Sequence, residues 1–221
     1  ADIGKTNRNG TPVVVFDCDL KPSTKVNEFE KVWPENFIQI GVQEHNAAVV
    51  AGAASVCGTL SFFADFGVFG IDETYNQQRL NDINKANVKV AVTHVGIDVG
   101  EDGKTHHCLD YIGALRNFFG FGLIVPADPN QTDRAVRYMS QTQCNCVIAM
   151  GRSTMNPIAD EKGGPFFGDS YKYEYGKIDV IRKGKGITLL STGQVTHQAV
   201  LAADQLKKDG LEVTVLNLSA P

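Results

Sequence analysis

The chain is 221 residues long and 43% hydrophobic, enough for one large α/β domain, or one domain and part of another, around a real core. A net charge of −4, with 21% charged residues, excludes a general nucleic-acid footprint, so an acidic substrate must be met by local basic residues. There is no signal peptide and no apolar run able to cross a bilayer. The five scattered cysteines (Cys18, Cys57, Cys108, Cys144 and Cys146) include no C-x-x-C, which predicts reduced thiols in a cytoplasmic protein with neither membrane nor nucleic acid as partner.

Residues 1–7 read as the tail of a helix that starts upstream, and Ser219-Ala220-Pro221 follows directly on a strand, so the chain is expected to be a segment of something longer. Val13-Val14-Val15-Phe16 is an unbroken apolar run, the mark of a strand buried on both faces, and it feeds a polar loop over 17–23. Residues 37–40 form a second strand, followed by a small-residue helix over 43–57. Residues 60–63 form a third, and Phe66-Gly67-Val68-Phe69 leads into a helix ending near Asn84. Residues 88–95 are the strongest strand. After them come a Gly-rich polar loop over 96–107, a helix near 111–118 and a strand at 122–125. Asp128-Pro129-Asn130-Gln131 opens the next helix with a capping-box pattern, and residues 146–150 form a strand that ends in Gly151-Arg152.

This alternation predicts a doubly wound parallel α/β sheet, with the loops at Asp19, Glu44, Phe66, 96–107 and Arg152 gathered on one edge. The pattern fails after 155. Residues 156–184 read as an ordered linker. A strand at 187–191, a helix at 194–208 and a strand at 211–216 read as the first βαβ unit of a second α/β domain covering 185–221.

The chain is organised around Gly41-Val42-Gln43-Glu44-His45-Asn46, where a β-rich run gives way to an apolar helix and a carboxylate sits at the joint. A buried acid at the carboxyl end of a strand is expected to stay protonated and to meet a nitrogen heterocycle. The simpler alternative is an acid serving the helix N-terminus. Phe63, Phe66 and Phe69 recur every three residues and are expected to share one face beside it, or simply to pack in the core.

Asp102 and His106, in Gly100-Glu101-Asp102-Gly103-Lys104-Thr105-His106-His107, can orient hydroxyls and move protons near neutral pH. A metal site made of Asp98, Asp102, His106 and His107 is the competing reading, and it would make a metal-dependent hydrolase. His94, Arg152 and Ser23, each at a strand end, can together hold a phosphate. The chain has no P-loop, no dinucleotide-binding glycine fingerprint after a strand and no nucleophile elbow.

In order, Asp19-Leu20-Lys21-Pro22-Ser23, Gly41-Val42-Gln43-Glu44-His45, the Phe63/Phe66/Phe69 set, Gly100-Glu101-Asp102-Gly103-Lys104-Thr105-His106, Pro126-Ala127-Asp128 and Gly151-Arg152 resemble the transketolase family of thiamine-diphosphate enzymes. The likeness covers nearly the whole chain. It corresponds to a pyrimidine-binding domain over 1–155 and the start of the C-terminal domain, most like the C-terminal subunit of a split transketolase.

The resemblance implies transfer of a two-carbon ketol unit between sugar phosphates. It places Glu44 on N1′ of the cofactor's aminopyrimidine, Phe63, Phe66 and Phe69 around that ring, and Asp19 near the thiazolium. It places Asp102 and His106 on sugar hydroxyls, and Ser23, His94 and Arg152 on the sugar phosphate. The Gly-Asp-Gly…Asn signature for Mg2+ and diphosphate is absent. The resemblance therefore assigns both to an N-terminal partner subunit, with this chain a homodimer that needs its partner for activity. His107 stands where many relatives carry Gln. Deoxyxylulose-phosphate synthase, a 2-oxoacid dehydrogenase β subunit and a non-catalytic assembly subunit are the alternatives.

Overall fold

A computed structural model describes residues 5–7 and 9–221. The helix tail expected over 1–7 lies outside the described residues except for 5–7, where Thr6 makes an isolated antiparallel bridge to Pro12 and no helix. The chain divides into two compact units, Ala1–Leu123 with Met139–Arg152, and Ile124–Tyr138 with Ser153–Pro221.

A six-stranded sheet runs through β1 (Val13–Asp17), β2 (Phe37–Gln39), β3 (Leu60–Phe66), β4 (Val88–Thr93), β5 (Phe121–Ile124) and β6 (Asn145–Ala149), in the order β2-β1-β3-β4-β6-β5. The pairings β1–β2, β1–β3, β3–β4 and β4–β6 are all parallel, as expected for strands read as apolar runs. β3 is buried at every position and β6 likewise, so helices must cover both faces. Lys89 is the exception in β4. Its buried Nζ donates to Thr142 O and Oγ1, Asn87 Oδ1 and Cys144 O, which satisfies a cation that would otherwise be costly to bury.

Two short helices, α1 (Lys21–Thr24) and α2 (Asn27–Val32), fill the stretch between β1 and β2. α3 (Glu44–Val56) follows β2. Its Ala47, Ala48, Ala51 and Gly52 are buried, and these small side chains let the helix lie close to the sheet and to α4 (Tyr75–Ile83). The chain passes from β3 to α4 through a π-helical turn, Val68–Glu73. The loop after β4 folds into two 3₁₀ turns, Gly100–Asp102 and Lys104–His106, before α5 (Tyr111–Leu115).

In the second unit, α6 (Pro129–Met139) begins as its sequence predicts. Asp128 Oδ1 accepts the Gln131 N–H at 2.7 Å and Oδ2 accepts the Ile158 N–H at 2.8 Å. The Gln131 side chain reaches back one residue further than a standard capping box, to the Ala127 N–H at 2.8 Å.

The expected βαβ unit is present as β8 (Thr188–Ser191), α7 (Val195–Lys208) and β9 (Thr214–Leu218), with β8 and β9 parallel. The stretch read as linker contains a further strand, β7 (Ile178–Arg182), antiparallel to β9. Its inward positions hide it from a hydropathy reading. Asp179 faces inward and accepts from Tyr171 Oη at 2.9 Å, and buried Arg182 pairs with Asp204 at 2.7 Å. Ile158 and Phe167, also from that stretch, belong to this unit's core with Ile181, Val200 and Val215.

Candidate functional site

Because the strands are parallel, the loops after β1, β2, β3, β4 and β6 share one edge of the sheet. Gln39 ties two of them together. Its Nε2 donates to Asp17 Oδ2 at 2.7 Å, and its Oε1 accepts the N–H groups of Asp19 and Gly41, both at 2.9 Å. Gly41 has φ 81°, a conformation open to glycine, and it turns the chain so that α3 starts at once.

Glu44 is therefore the first residue of α3, and it is 7% exposed. Among the described residues its carboxylate has neither a hydrogen bond nor an ion pair. It belongs to a cluster that hydropathy and spacing do not disclose. Its carboxylate oxygen, Cys18 Sγ and an Asp65 carboxylate oxygen lie within 4.8 Å of one another, all buried. Burial, with a further push from the neighbouring Glu44, raises Asp65 to about 8 against the pull of the Phe66 N–H, which it accepts at 2.7 Å. Burial also pushes the Cys18 thiol up.

The aromatic set divides. β3 runs on to Phe66, three residues past its expected end, so Phe63 and Phe66 point to opposite faces of the strand. Phe63 is fully buried and contributes to the core, which corrects the shared face expected for the stripe. Phe66 and Phe69 stack with centroids 6.2 Å apart. His94 stacks on Phe66 at 3.8 Å, and His106 meets Phe69 edge-on at 5.4 Å.

His94 closes β4 with φ 61°, unusual for a residue with a side chain, and this turns its ring onto Phe66. Its Nδ1 lies 2.8 Å from Thr93 Oγ1 and its Nε2 lies 3.7 Å from Asp102 Oδ2. Burial holds its pKa below the ordinary imidazole value despite the nearby Asp102, so the ring is neutral at pH 7. Arg152 Nε lies 3.5 Å from the same Asp102 oxygen, and its Nη2 donates to Glu101 Oε1 at 2.6 Å. A Cβ on Gly100 would come within 2.8 Å of Arg152 Nη1, so glycine there admits the guanidinium.

His94, Asp102, His106 and Arg152 are thus assembled, with Phe66 and Phe69 beneath them. Ser23 is exposed on α1 and shares no hydrogen bond with His94 or Arg152 among the described residues, and Asp19 is exposed with φ 65°. Among the described residues the donor trio with metal-ligand spacing is Cys18, Glu44 and Asp65, and the loop set Asp98, Asp102, His106 and His107 does not form one. No helix of the described residues is long and apolar enough to cross a membrane. Asp65 carried a signal that could have exposed it: an acid inside the otherwise apolar Phe62-Phe63-Ala64-Asp65-Phe66.

The chemistry of the edge is that of a site for a flat, partly basic ring. Among the described residues a buried carboxylate without a hydrogen bond or ion pair lies next to a strand residue, Asp65, whose neighbour Phe66 begins an aromatic floor, and neutral and charged hydrogen-bonding groups stand over that floor.

Comparison with known proteins bears on the same residues. Residues 3–157 match the family model for the transketolase pyrimidine binding domain, and 176–220 match that for the transketolase C-terminal domain. The chain is 28% identical over 212 residues to an apulose-4-phosphate transketolase subunit of Actinobacillus succinogenes, covering 96% of this chain and 66% of that protein. It is 29% identical over 220 residues to transketolase-like protein 2 of Bos taurus, covering 98% of this chain and 33% of that one.

Among solved structures, a split-gene transketolase, an inactive β4 tetramer, superposes with a TM-score of 0.81 at 30% identity, covering 94% of this chain and 65% of that one. The transketolase of Campylobacter jejuni shares the fold, with a TM-score of 0.76 at 22% identity, covering 94% of this chain and 32% of that one. The chain thus spans just under two thirds of its split-type relatives and about a third of the long ones. With the pyrimidine-binding model matched across the unit that carries Glu44, and the C-terminal model matched across the β7–β9 sheet, the chain belongs to the transketolase family.

Proposed function

We propose that this chain is the pyrimidine-binding half of a transketolase-type enzyme that moves a two-carbon ketol unit between sugar phosphates with thiamine diphosphate. The observation that carries the reading is the buried Glu44 carboxylate, free of hydrogen bonds and ion pairs among the described residues, at a strand–helix joint on the sheet edge that also carries the Phe66–Phe69 stack. These residues fit an aminopyrimidine: an acid for a ring nitrogen and an aromatic face for the ring.

When bound, thiamine diphosphate supplies the nucleophilic carbon and the electron sink needed to break a sugar's carbon–carbon bond beside its carbonyl. Glu44 holds a proton toward N1′ of the pyrimidine. Phe66 and Phe69 support the ring and exclude water, while Phe63, on the other face of β3, packs in the core and steadies the strand. Asp102 orients the donor's hydroxyls, and His106 takes and returns a hydroxyl proton. Neutral His94 and cationic Arg152 face the sugar phosphate, joined by Ser23 from α1 when substrate is bound, and Asp19 faces the thiazolium end.

The diphosphate and Mg2+ are held by an N-terminal partner subunit, because no diphosphate signature occurs in this chain. The split-gene relative that is an inactive β4 tetramer supports both self-association and the need for a second subunit. We assign the pyrimidine module to 1–155 and the start of the C-terminal domain to the part that begins at β7. The five unpaired cysteines support a cytoplasmic setting.

The test is ketol transfer from xylulose 5-phosphate by the chain mixed with its N-terminal subunit, thiamine diphosphate and Mg2+. Glu44→Gln should lower kcat roughly 10²- to 10⁴-fold, the range for loss of a positioned proton donor. Undiminished turnover in Glu44→Gln would sink the reading.

A further inference from the structure

The buried His94 ring is constrained at its face and at both nitrogens. The face stacks on Phe66 at 3.8 Å, with 26° between the planes. Nδ1 lies 2.8 Å from the Thr93 hydroxyl, and Nε2 lies 3.7 Å from Asp102 Oδ2. Thr93 ends β4 and pairs in register with Phe66, the last residue of β3. The residue under the ring and the residue at its Nδ1 therefore stand level on neighbouring strands. Thr93 is β-branched, so few rotamers are open to its hydroxyl. Either nitrogen of a neutral imidazole can carry the proton, and a hydroxyl can donate or accept, so the surroundings decide. The charged and titratable groups acting on the ring are Asp102, Arg152, His106 and Asp98, and Asp102 has the largest effect of the four. A proton on Nδ1 would leave the Nε2 lone pair facing the Asp102 carboxylate. A proton on Nε2 points an N–H toward that anion and leaves Nδ1 to accept from Thr93, so only this arrangement makes both contacts favourable.

We propose that Thr93 is a positioning residue: its hydroxyl donates to His94 Nδ1 and holds the neutral ring with its Nε2–H directed toward the place that receives the sugar phosphate. This rests on the reading of His94 as a phosphate-facing residue and deepens it. His94 then serves the phosphate as an uncharged donor, while Arg152 supplies the charge. The left-handed backbone at His94, φ 61°, is unfavourable for a residue with a side chain, and the contacts of the ring offset it. The Thr105-His106 dipeptide repeats the spacing, with Thr105 Oγ1 2.9 Å from His106 Nδ1, but it is exposed and water competes for that bond. The assignment is therefore confined to Thr93, which is partly buried.

The first measurement uses the 221-residue chain alone, labelled with ¹⁵N-histidine. Long-range proton–nitrogen correlation at pH 7.5 reports which ring nitrogen carries the proton, and His94→Gln identifies the His94 signals among those of the five histidines. His94 should show a protonated Nε2 and an Nδ1 whose resonance is that of an imine nitrogen accepting a hydrogen bond. In Thr93→Val, which keeps the shape and the branching, the Nδ1 resonance should move to the value of an unbonded imine nitrogen. In Thr93→Ser it should stay. A protonated Nδ1 in the wild type, or an Nδ1 resonance unmoved in Thr93→Val, would overturn the proposal. The wild-type spectrum decides the direction of the hydrogen bond whether or not Thr93→Val folds.

The second measurement uses the enzyme assembled with its N-terminal subunit, thiamine diphosphate and Mg2+. Thr93→Val should raise KM for xylulose 5-phosphate roughly three- to tenfold, the scale of one neutral hydrogen bond, with little change in kcat. KM for xylulose without its phosphate should not change, and Thr93→Ser should restore the wild-type value for the phosphorylated sugar. A merely structural role would impair both sugars alike, and that result would overturn the proposal. An unchanged KM for xylulose 5-phosphate in His94→Gln would defeat the phosphate-site reading while leaving the spectrum of the free chain intact, so the two failures are distinguishable.

Discussion

Arg152 is held by two acids at once, Glu101 at 2.6 Å and Asp102 at 3.5 Å, so it is positioned before any anion arrives. A sugar phosphate would exchange one carboxylate partner for a bidentate oxyanion, an interaction made alike in ground and transition states. Arg152→Ala should therefore raise KM for phosphorylated sugars roughly tenfold or more and change kcat far less, read from steady-state kinetics of the assembled enzyme. An equal fall in kcat would place Arg152 in the chemical step instead.

Asp65 has a thermodynamic signature as well. It keeps its proton to about pH 8 when folded, whereas an unperturbed Asp loses it near pH ~4. Between those limits the folded state binds more protons than the unfolded one, so this group makes stability fall as pH rises, by at most about 1.4 kcal/mol per unit. Asp65→Asn removes that slope. Urea midpoints measured from pH 5 to 7.5 should show the variant gaining on the wild type, and parallel profiles would refute the burial argument.

At the scale of elements, α3 sets the site because it can approach so closely. A Cβ on Gly52 would fall 1.9 Å from Asn81 Oδ1, and Asn81 is itself fixed by hydrogen bonds to Ala48 O at 3.2 Å and Gln78 Oε1 at 3.1 Å. Gly52→Ala should cost about 1–3 kcal/mol by overpacking, measured by chemical denaturation, since Asn81 cannot yield without losing those bonds. Legibility in the sequence follows hydropathy here. The runs of β1, β4 and β6 announce themselves, and so does the small-residue helix α3. β3 reads three residues short because Asp65 interrupts it, and that error puts Phe63 and Phe66 on one face. β7 escapes notice for the same reason, since Asp179 and Arg182 occupy inward positions that an apolar pattern cannot reveal. Helices α1 and α2 are short and have few buried residues, so no periodicity marks them.

At the scale of the molecule, the outward side of the α3–α4 pair is an apolar surface. Val49 and Val56 on α3 and Leu80 and Ile83 on α4 are exposed, and α3 and α4 line a groove of about 410 Å³. Such a patch suits contact with a second copy, which is where the proposed homodimer would form. Leu80→Glu should lower the self-association of the chain, seen as a shift toward monomer in sedimentation, with secondary structure unchanged. An unaltered oligomer would direct the search for the interface to another face.

The sequence by itself determined the parallel α/β sheet, the edge on which the chemistry gathers, and the residues of the motifs that lie there. Hydrophobic period and strand-end polarity are local properties that a chain displays without its fold. Tertiary structure alone decided which of those residues meet. It placed His94 on Phe66, set Asp102 between His94 and Arg152, withdrew Phe63 into the core, and brought Cys18 and Asp65, 47 residues apart in the chain, together against Glu44. Contacts of that kind depend on strand order and on the hand of each side chain along a strand, and neither is written in any window of sequence short enough to read.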